Sequence, residues 1–289
     1  WVSSSVDTGI QFTNNSSDKF ISVKDMTLLT EKAGEGTAIT VVRSGEAVNG
    51  VVQNRSSPRA SFSNLNIKGA TSASTNGWLY GISCVDAMHI TFENIHFTGY
   101  YAGNMANPIT EAFMSFRGSN KPTEYTISNC WAFHCKDAIR VRETIEGVHV
   151  NNCNFISVGD GIDWDSSPSA PLLALMNSHI NAYDSCVKLS GVNQFIINGN
   201  LFYKRPDSIA NGTGVVAINC SWGSIVNNTF VNTSASFNFD CVVFIGNTSN
   251  CLVSDNIFQS GTTAIWFQSG TSNCVQRNNH FGNITQSKV

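Results

Sequence analysis

Residues 159–165 read GDGIDWD, with three aspartates in seven positions. Carboxylates this close can share one reaction. One protonates a glycosidic oxygen while the other activates water or attacks carbon, and glycosidases hold the two about 5–5.5 Å apart for retention and about 6.5–9.5 Å for inversion. Asp163 and Asp165 stand at i and i+2. On a strand they would share one face, with Cα atoms about 6.5–7 Å apart. Flexible side chains leave both stereochemistries open, with a lean to inversion. Asp160 takes a turn position, as do Asp137 and Asp240. Arg140 and Arg142 precede the stretch and Lys188 follows it. A cation beside one carboxylate would keep it ionised, and its partner would need a raised pKa to act as acid.

Whether these groups meet depends on a repeat. Asn64, Asn94, Asn129, Asn152, Asn177, Asn200, Asn227, Asp255 and Asn278 each sit in a turn followed closely by an aliphatic or aromatic residue. Further along each unit comes a second line: AFMSF from Ala112, AIRVR from Ala138, GIDWD from Gly161, CVKLS from Cys186, GVVAI from Gly214, CVVFI from Cys241 and AIWFQ from Ala264. Its period-two alternation marks strands. Two short strands per unit, a period of about two dozen residues and no helical periodicity describe an all-β solenoid: a single-stranded right-handed parallel β-helix of about ten rungs. Asn suits the tight corners because it tolerates the left-handed conformation. A β-sandwich would not need one motif order to recur. No linker interrupts the repeat, so residues 1–289 read as one domain. IQF at 10–12 and FISV at 20–23 look like first rungs, while EKAGEG at 31–36 and NRSSPR at 54–59 look like loops.

Aligning the second line points Ile162 and Trp164 inward and Asp163 and Asp165 outward. Arg140, Asp163 and Lys188 then stack in one outer column, and Arg142, Asp165 and Ser190 in the next. Glu143 follows just past its strand. Val216, Ile218, Val243 and Ile245 turn the outer face apolar and would suit a subunit interface. The plainer reading of the column is a structural charge ladder. Against it, only 13% of the chain is charged, yet this patch concentrates charge. The inserts 99–122 and 203–213 are also long enough to wall a groove.

Composition narrows the classes. A net charge of −3 gives no sign of nucleic-acid binding. No apolar run approaches the roughly 20 residues of a membrane span. Nine cysteines without metal spacing read as free thiols stacked in the core. His134 and His179 flank core positions and read as solvated or hydrogen-bonded. No GxSxG motif points to a serine esterase.

On this scaffold GDGIDW at 159–164 resembles the GDGIEW-type stretch of β-helical phage tail proteins. The repeat resembles bacteriophage tailspikes and, more distantly, pectate-lyase-like and polygalacturonase-like β-helices. The resemblance implies an endo-acting depolymerase, a glycoside hydrolase cleaving bacterial surface polysaccharide (O-antigen, capsule or exopolysaccharide). It implies a homotrimer in the virion tail, outside the cell, and makes this chain the trimmed central part of a longer one. Asp163, Asp165 and Glu143, with Glu111 as a further candidate, would be catalytic. Arg140, Arg142, Lys188 and Asp160 would bind sugar, and Tyr183, Tyr203 and Trp266 would stack on its rings. No metal or cofactor is expected on this reading. The polygalacturonase set of NTD, DD, GHG and RIK is absent. A polysaccharide lyase would instead use carboxylate-held Ca²⁺ with Arg or Lys as base, and a third reading is a non-catalytic adhesin or shaft.

Overall fold

The computed structural model describes residues 8–14, 20–43, 47–48, 51–52, 60–87, 89–104, 106–118, 124–170, 172–234 and 236–286. The NRSSPR stretch and part of the 99–122 insert lie outside them. Among the described residues 26 strands join in one parallel sheet, and a two-stranded antiparallel hairpin pairs Ala47–Val48 with Val51–Val52. No helix is long and apolar enough to cross a membrane. The chain is a parallel β-helix.

Each full rung carries three strands, one more than the alternation suggested. The first face stacks Tyr125–Ser128, Gly147–Asn151, Leu172–Met176, Phe195–Asn198 and Gly223–Val226. The middle face stacks Trp131–Phe133, Asn154–Val158, His179–Ala182, Leu201–Lys204 and Thr229–Asn232. The third face stacks Ala112–Gly118, Asp137–Glu143, Asp160–Ala170, Ser185–Val192, Gly212–Ile218 and Phe239–Ile245. Only a tight corner separates the first two strands of a rung, so in sequence they merge into one line.

That corner is where the Asn line falls. Asn129, Asn152, Asn177, Asn227, Asp255 and Asn278 hold φ between 51° and 58°. Asn pays less than other non-glycine residues for this conformation, and Asn152 donates to Asn129 Oδ1 at 2.7 Å along the stack. Asn200 does not belong to this line. Gly199, with φ 71°, takes the left-handed place there. Asn200 lies one residue on, in a second ladder inside the core. Its amide donates to Asn228 Oδ1 at 2.9 Å, Asn228 donates to Asn256 Oδ1 at 3.0 Å, and Asn256 to Asn279 Oδ1 at 3.1 Å.

Around that ladder the core is apolar. Phe202, Phe230, Phe258 and Phe281 stack at centroid spacings of 5.1, 5.0 and 5.5 Å. All nine cysteines are free, eight of them buried. The strands Thr8–Asn14 and Ile21–Thr30 begin the solenoid as expected. EKAGEG is only partly a loop, because strand Ala33–Arg43 already covers Ala33–Gly36. A register shift between Ala33 and Glu35 absorbs the irregularity.

Removing a fully buried ring leaves a cavity, so Phe230→Ala should lower unfolding free energy by about 3–5 kcal/mol. Asn228→Ala leaves its ladder partners unpaired and should cost about 1–3 kcal/mol. Urea titration of each variant against the parent measures both.

Candidate active site

The GDGIDWD stretch turns the corner from the middle to the third face. Its glycines are there for space. A Cβ on Gly159 would lie 2.6 Å from Lys136 O, and one on Gly161 would lie 2.4 Å from both Cys186 O and an Ile180 methyl. Beyond them Asp163 pairs in register with Arg140 on one side and Lys188 on the other, and Asp165 with Arg142 and Ser190. Both columns stand as the alternation requires.

The charges, however, join diagonally. Arg142 reaches across to Asp163, pairing Nη2 with Oδ2 and donating from Nη1 to the Asp163 carbonyl at 2.9 Å. Lys188 Nζ lies 3.5 Å from Asp163 Oδ1. Asp163 is therefore ion-paired on both oxygens and only 7% exposed, although it points away from the core. Asp165 is exposed. Arg140 turns the other way, to Asp137 and to Glu111 Oε2 at 2.9 Å. Its guanidinium is committed within the protein and is not free for sugar. Glu111 also pairs with Lys136. Partial burial works against the Glu111 charge, but Lys136 and Arg140 outweigh it and keep its pKa low.

Arg142, Asp163, Trp164, Asp165, Lys188, Ser190 and Ile218 line a half-open groove of about 260 Å³. Neither long insert contributes to that lining. Glu143 does not either; it ends its strand exposed and left-handed, at φ 66°.

Beside the groove the column one step earlier pairs Asp137 with Asp160. Carboxylate oxygens of Asp137, Asp160 and Asp163 all lie within 4.8 Å of one another. Asp160 accepts the Ser185 main-chain N–H at 2.8 Å. Burial, reinforced by Asp184, Asp137 and Asp163, pushes the Asp160 carboxyl up to about 7. Burial also raises Asp137, against the pull of Arg140. These three carboxylates are the described set close enough to hold a cation. To bind one they would have to release Arg140, Arg142 and Lys188.

Sequence reasoning missed Asp184 and Lys204. Lys204 is fully buried beneath the corner and donates to the carbonyls of Tyr183 and Ala210, the latter at 2.8 Å. Burial pulls its pKa down, with Asp184 partly restoring it. Its signal was a lysine at an inward position of LFYK, two residues after Phe202.

The aromatic expectations need correction. Tyr183 is 3% exposed, and the Arg205 guanidinium covers its ring at 5.1 Å, so it has no face for a sugar. Tyr203 is half-buried on the middle face, away from the groove. Trp266 is half-buried on the third face, continuing the Asp163 column through Lys188, Val216 and Val243. Val216 and Val243 point outward yet are 8% and 4% exposed, because their neighbours along the stack cover them. Only Ile218 and Ile245 leave part of that apolar stripe open.

No protein-family model matches the chain, and no curated protein matches it in sequence. Among solved structures it is similar to the A-module of an Azotobacter vinelandii mannuronan C-5 epimerase, at 11% identity over 98% of this chain and 87% of that one, with TM-score 0.48. It is also similar to PfbA, a surface adhesin of Streptococcus pneumoniae, at 12% identity over 96% and 78%, TM-score 0.45. A third similarity is to the tailspike gp49 of Acinetobacter baumannii bacteriophage Fri1, a capsular polysaccharide depolymerase. There the identity is 14% over 92% of this chain and 57% of that one, TM-score 0.40.

Asp160 makes stability depend on pH in a defined direction. Its folded pKa is raised, so between the ordinary carboxylate range and about 7 the folded state holds a proton that the unfolded state has lost. Its contribution therefore falls as pH rises through that window and is flat above it. Asp160→Asn should flatten the slope, read from urea midpoints at about pH 5 and about pH 8.

Proposed function

We propose that this chain is a polysaccharide depolymerase that hydrolyses glycosidic bonds on the third face, where Asp160 stands beside the groove that Asp163 lines. The observation that carries this reading is the pair Asp160 and Asp163, with carboxylate oxygens within 4.8 Å. Their surroundings differ. Asp160 holds its proton to about 7 by burial and like charge, whereas Asp163 is paired with Arg142 and Lys188. Opposed environments on two adjacent carboxyls divide the work of acid and base.

Asp160 gives its proton to the glycosidic oxygen as the bond to the anomeric carbon breaks. Asp163 attacks that carbon from the other side, and Arg142 shifts from it to the sugar. Water then cleaves the glycosyl ester, and Asp160 takes its proton back. Oxygens within 4.8 Å lie nearer the retaining than the inverting separation, against the lean to inversion read from Asp163 and Asp165. Asp165, exposed on the groove wall, offers an acceptor to sugar hydroxyls.

Elimination on a uronic acid is the second reading, favoured by Lys188 lying half-exposed beside Arg142. It would need Lys188 as a neutral base. Burial works against the Lys188 charge, but Asp163 and Asp160 outweigh it and raise its pKa. That disfavours the lyase. The resemblance carried by GDGIDW supports bacterial surface polysaccharide as substrate, a virion-tail setting and a homotrimeric assembly.

Mass spectrometry after incubation with purified capsular and O-antigen polysaccharides tests the reading. Hydrolysis adds one water per cut. Asp160→Asn should lower turnover by about 10²–10⁴-fold, and activity of the parent should decline as pH climbs through about 7. Products with an unsaturated end, or full activity in Asp160→Asn, would overturn it.

A further inference from the structure

Among the described residues, six side-chain polar atoms are buried without a hydrogen-bond partner: Trp78 Nε1, His134 Nδ1, Asp163 Oδ1, Trp164 Nε1, His179 Nε2 and Asn181 Oδ1. Asp163 and Trp164 belong to the groove. His134, His179 and Asn181 do not. They gather on the outer side of the middle face. His179 and Asn181 alternate with the core residue Ile180 on one strand, so both point outward. His134 follows the end of strand Trp131–Phe133, where its ring lies 4.8 Å from that of Tyr101.

Aromatic rings border these orphans. Trp131 shares a column with Asn154 and His179 and is 40% exposed, with the His96 ring 4.2 Å away. Tyr203 is the register partner of Asn181, and its ring stands perpendicular to that of His179 at 6.4 Å. Trp131 and His179 are two rungs apart, roughly 10 Å, which is the scale of two linked sugar rings.

We propose that the outer middle face between Trp131 and Tyr203 is a second carbohydrate-binding surface, taking neutral, hydroxyl-rich sugars. The chemistry of the groups selects that class. An aromatic ring offers an apolar plane for the C–H face of a pyranose, and buried polar atoms seek a partner. A neutral imidazole carries one donor and one acceptor, and a sugar hydroxyl answers either. Burial keeps both histidines below their ordinary pKa, with Arg205 adding to the effect at His134. The nearby cation is already used: Arg205 donates to Ser157 Oγ at 2.7 Å and to Asp207 at 2.8 and 3.0 Å. Among the described residues no unpaired cation lines this surface to recruit an acidic sugar, in contrast to the groove, where Lys188 and Asp165 stand partly open. Asn181, nine-tenths buried, lies at the floor of this surface.

This surface is independent of the chemistry assigned to Asp160 and Asp163, and affinity electrophoresis separates the two. The whole chain is run through gels containing dextran, mannan or galactomannan, with polygalacturonate as the acidic probe. At least one neutral polymer should retard the parent. Trp131→Ala, at an exposed position, should weaken retardation about tenfold, and Asn181→Leu should weaken it too. Asp163→Asn should migrate like the parent. The proposal is overturned if no neutral polymer retards the parent, if only polygalacturonate does, if both middle-face variants behave as parent, or if Asp163→Asn alone abolishes the effect.

Discussion

The left-handed corner at each Asn is the constraint from which the site follows. One residue at φ near 50–60° turns the chain from first to middle face, and it does so at the same place in successive rungs. Strand pairing then stays in phase around the coil. A slip of one residue on the third face would send Asp163 into the core and Trp164 into water, because side chains alternate with period two. At Gly199 the rung keeps that geometry with a different residue and passes the neighbouring Asn200 to the inner ladder. The fold needs the conformation, and Asn is the residue that most often supplies it.

The carboxylate column is costly to build, and its surroundings show how the cost is offset. Asp137 and Asp163 each hold an arginine, and Lys188 approaches the second from the next rung. Asp160 accepts the Ser185 amide but holds no arginine among the described residues, and burial with the neighbouring aspartates makes it keep a proton. Lys204, buried below, faces Asp184 and ties the insert that follows it to the corner. One proton is thus held where two neighbouring carboxylates are ion-paired, which is the asymmetry that acid–base chemistry needs.

Much of this was legible in the residues. Alternation in AIRVR, GIDWD and CVKLS placed the Arg140–Asp163–Lys188 column in its correct register, because period two fixes direction. It could not fix burial or pairing. Asp163 points outward yet is covered, since Arg142 crosses diagonally to it. Tyr183 looked like an exposed ring, but Arg205 from the following rung caps it. Asp160 read mainly as a turn residue, and its proton follows from burial, reinforced by Asp184 and Asp137, more than twenty residues away on either side. Such effects arise between rungs, where one-dimensional spacing carries little information. The three-strand rung was likewise hidden, because its first corner occupies so few residues.

A solenoid confines its contacts to adjacent coils. Every strand that lines the groove lies between Asp137–Glu143 and Gly212–Ile218, and among the described residues each pairs with the strands of the same face in the coils before and after it. The groove is therefore a cassette of four successive coils rather than a property of the whole molecule. Coils could be gained or lost beyond it on either side, lengthening or shortening the shaft, without moving a single atom that faces the groove.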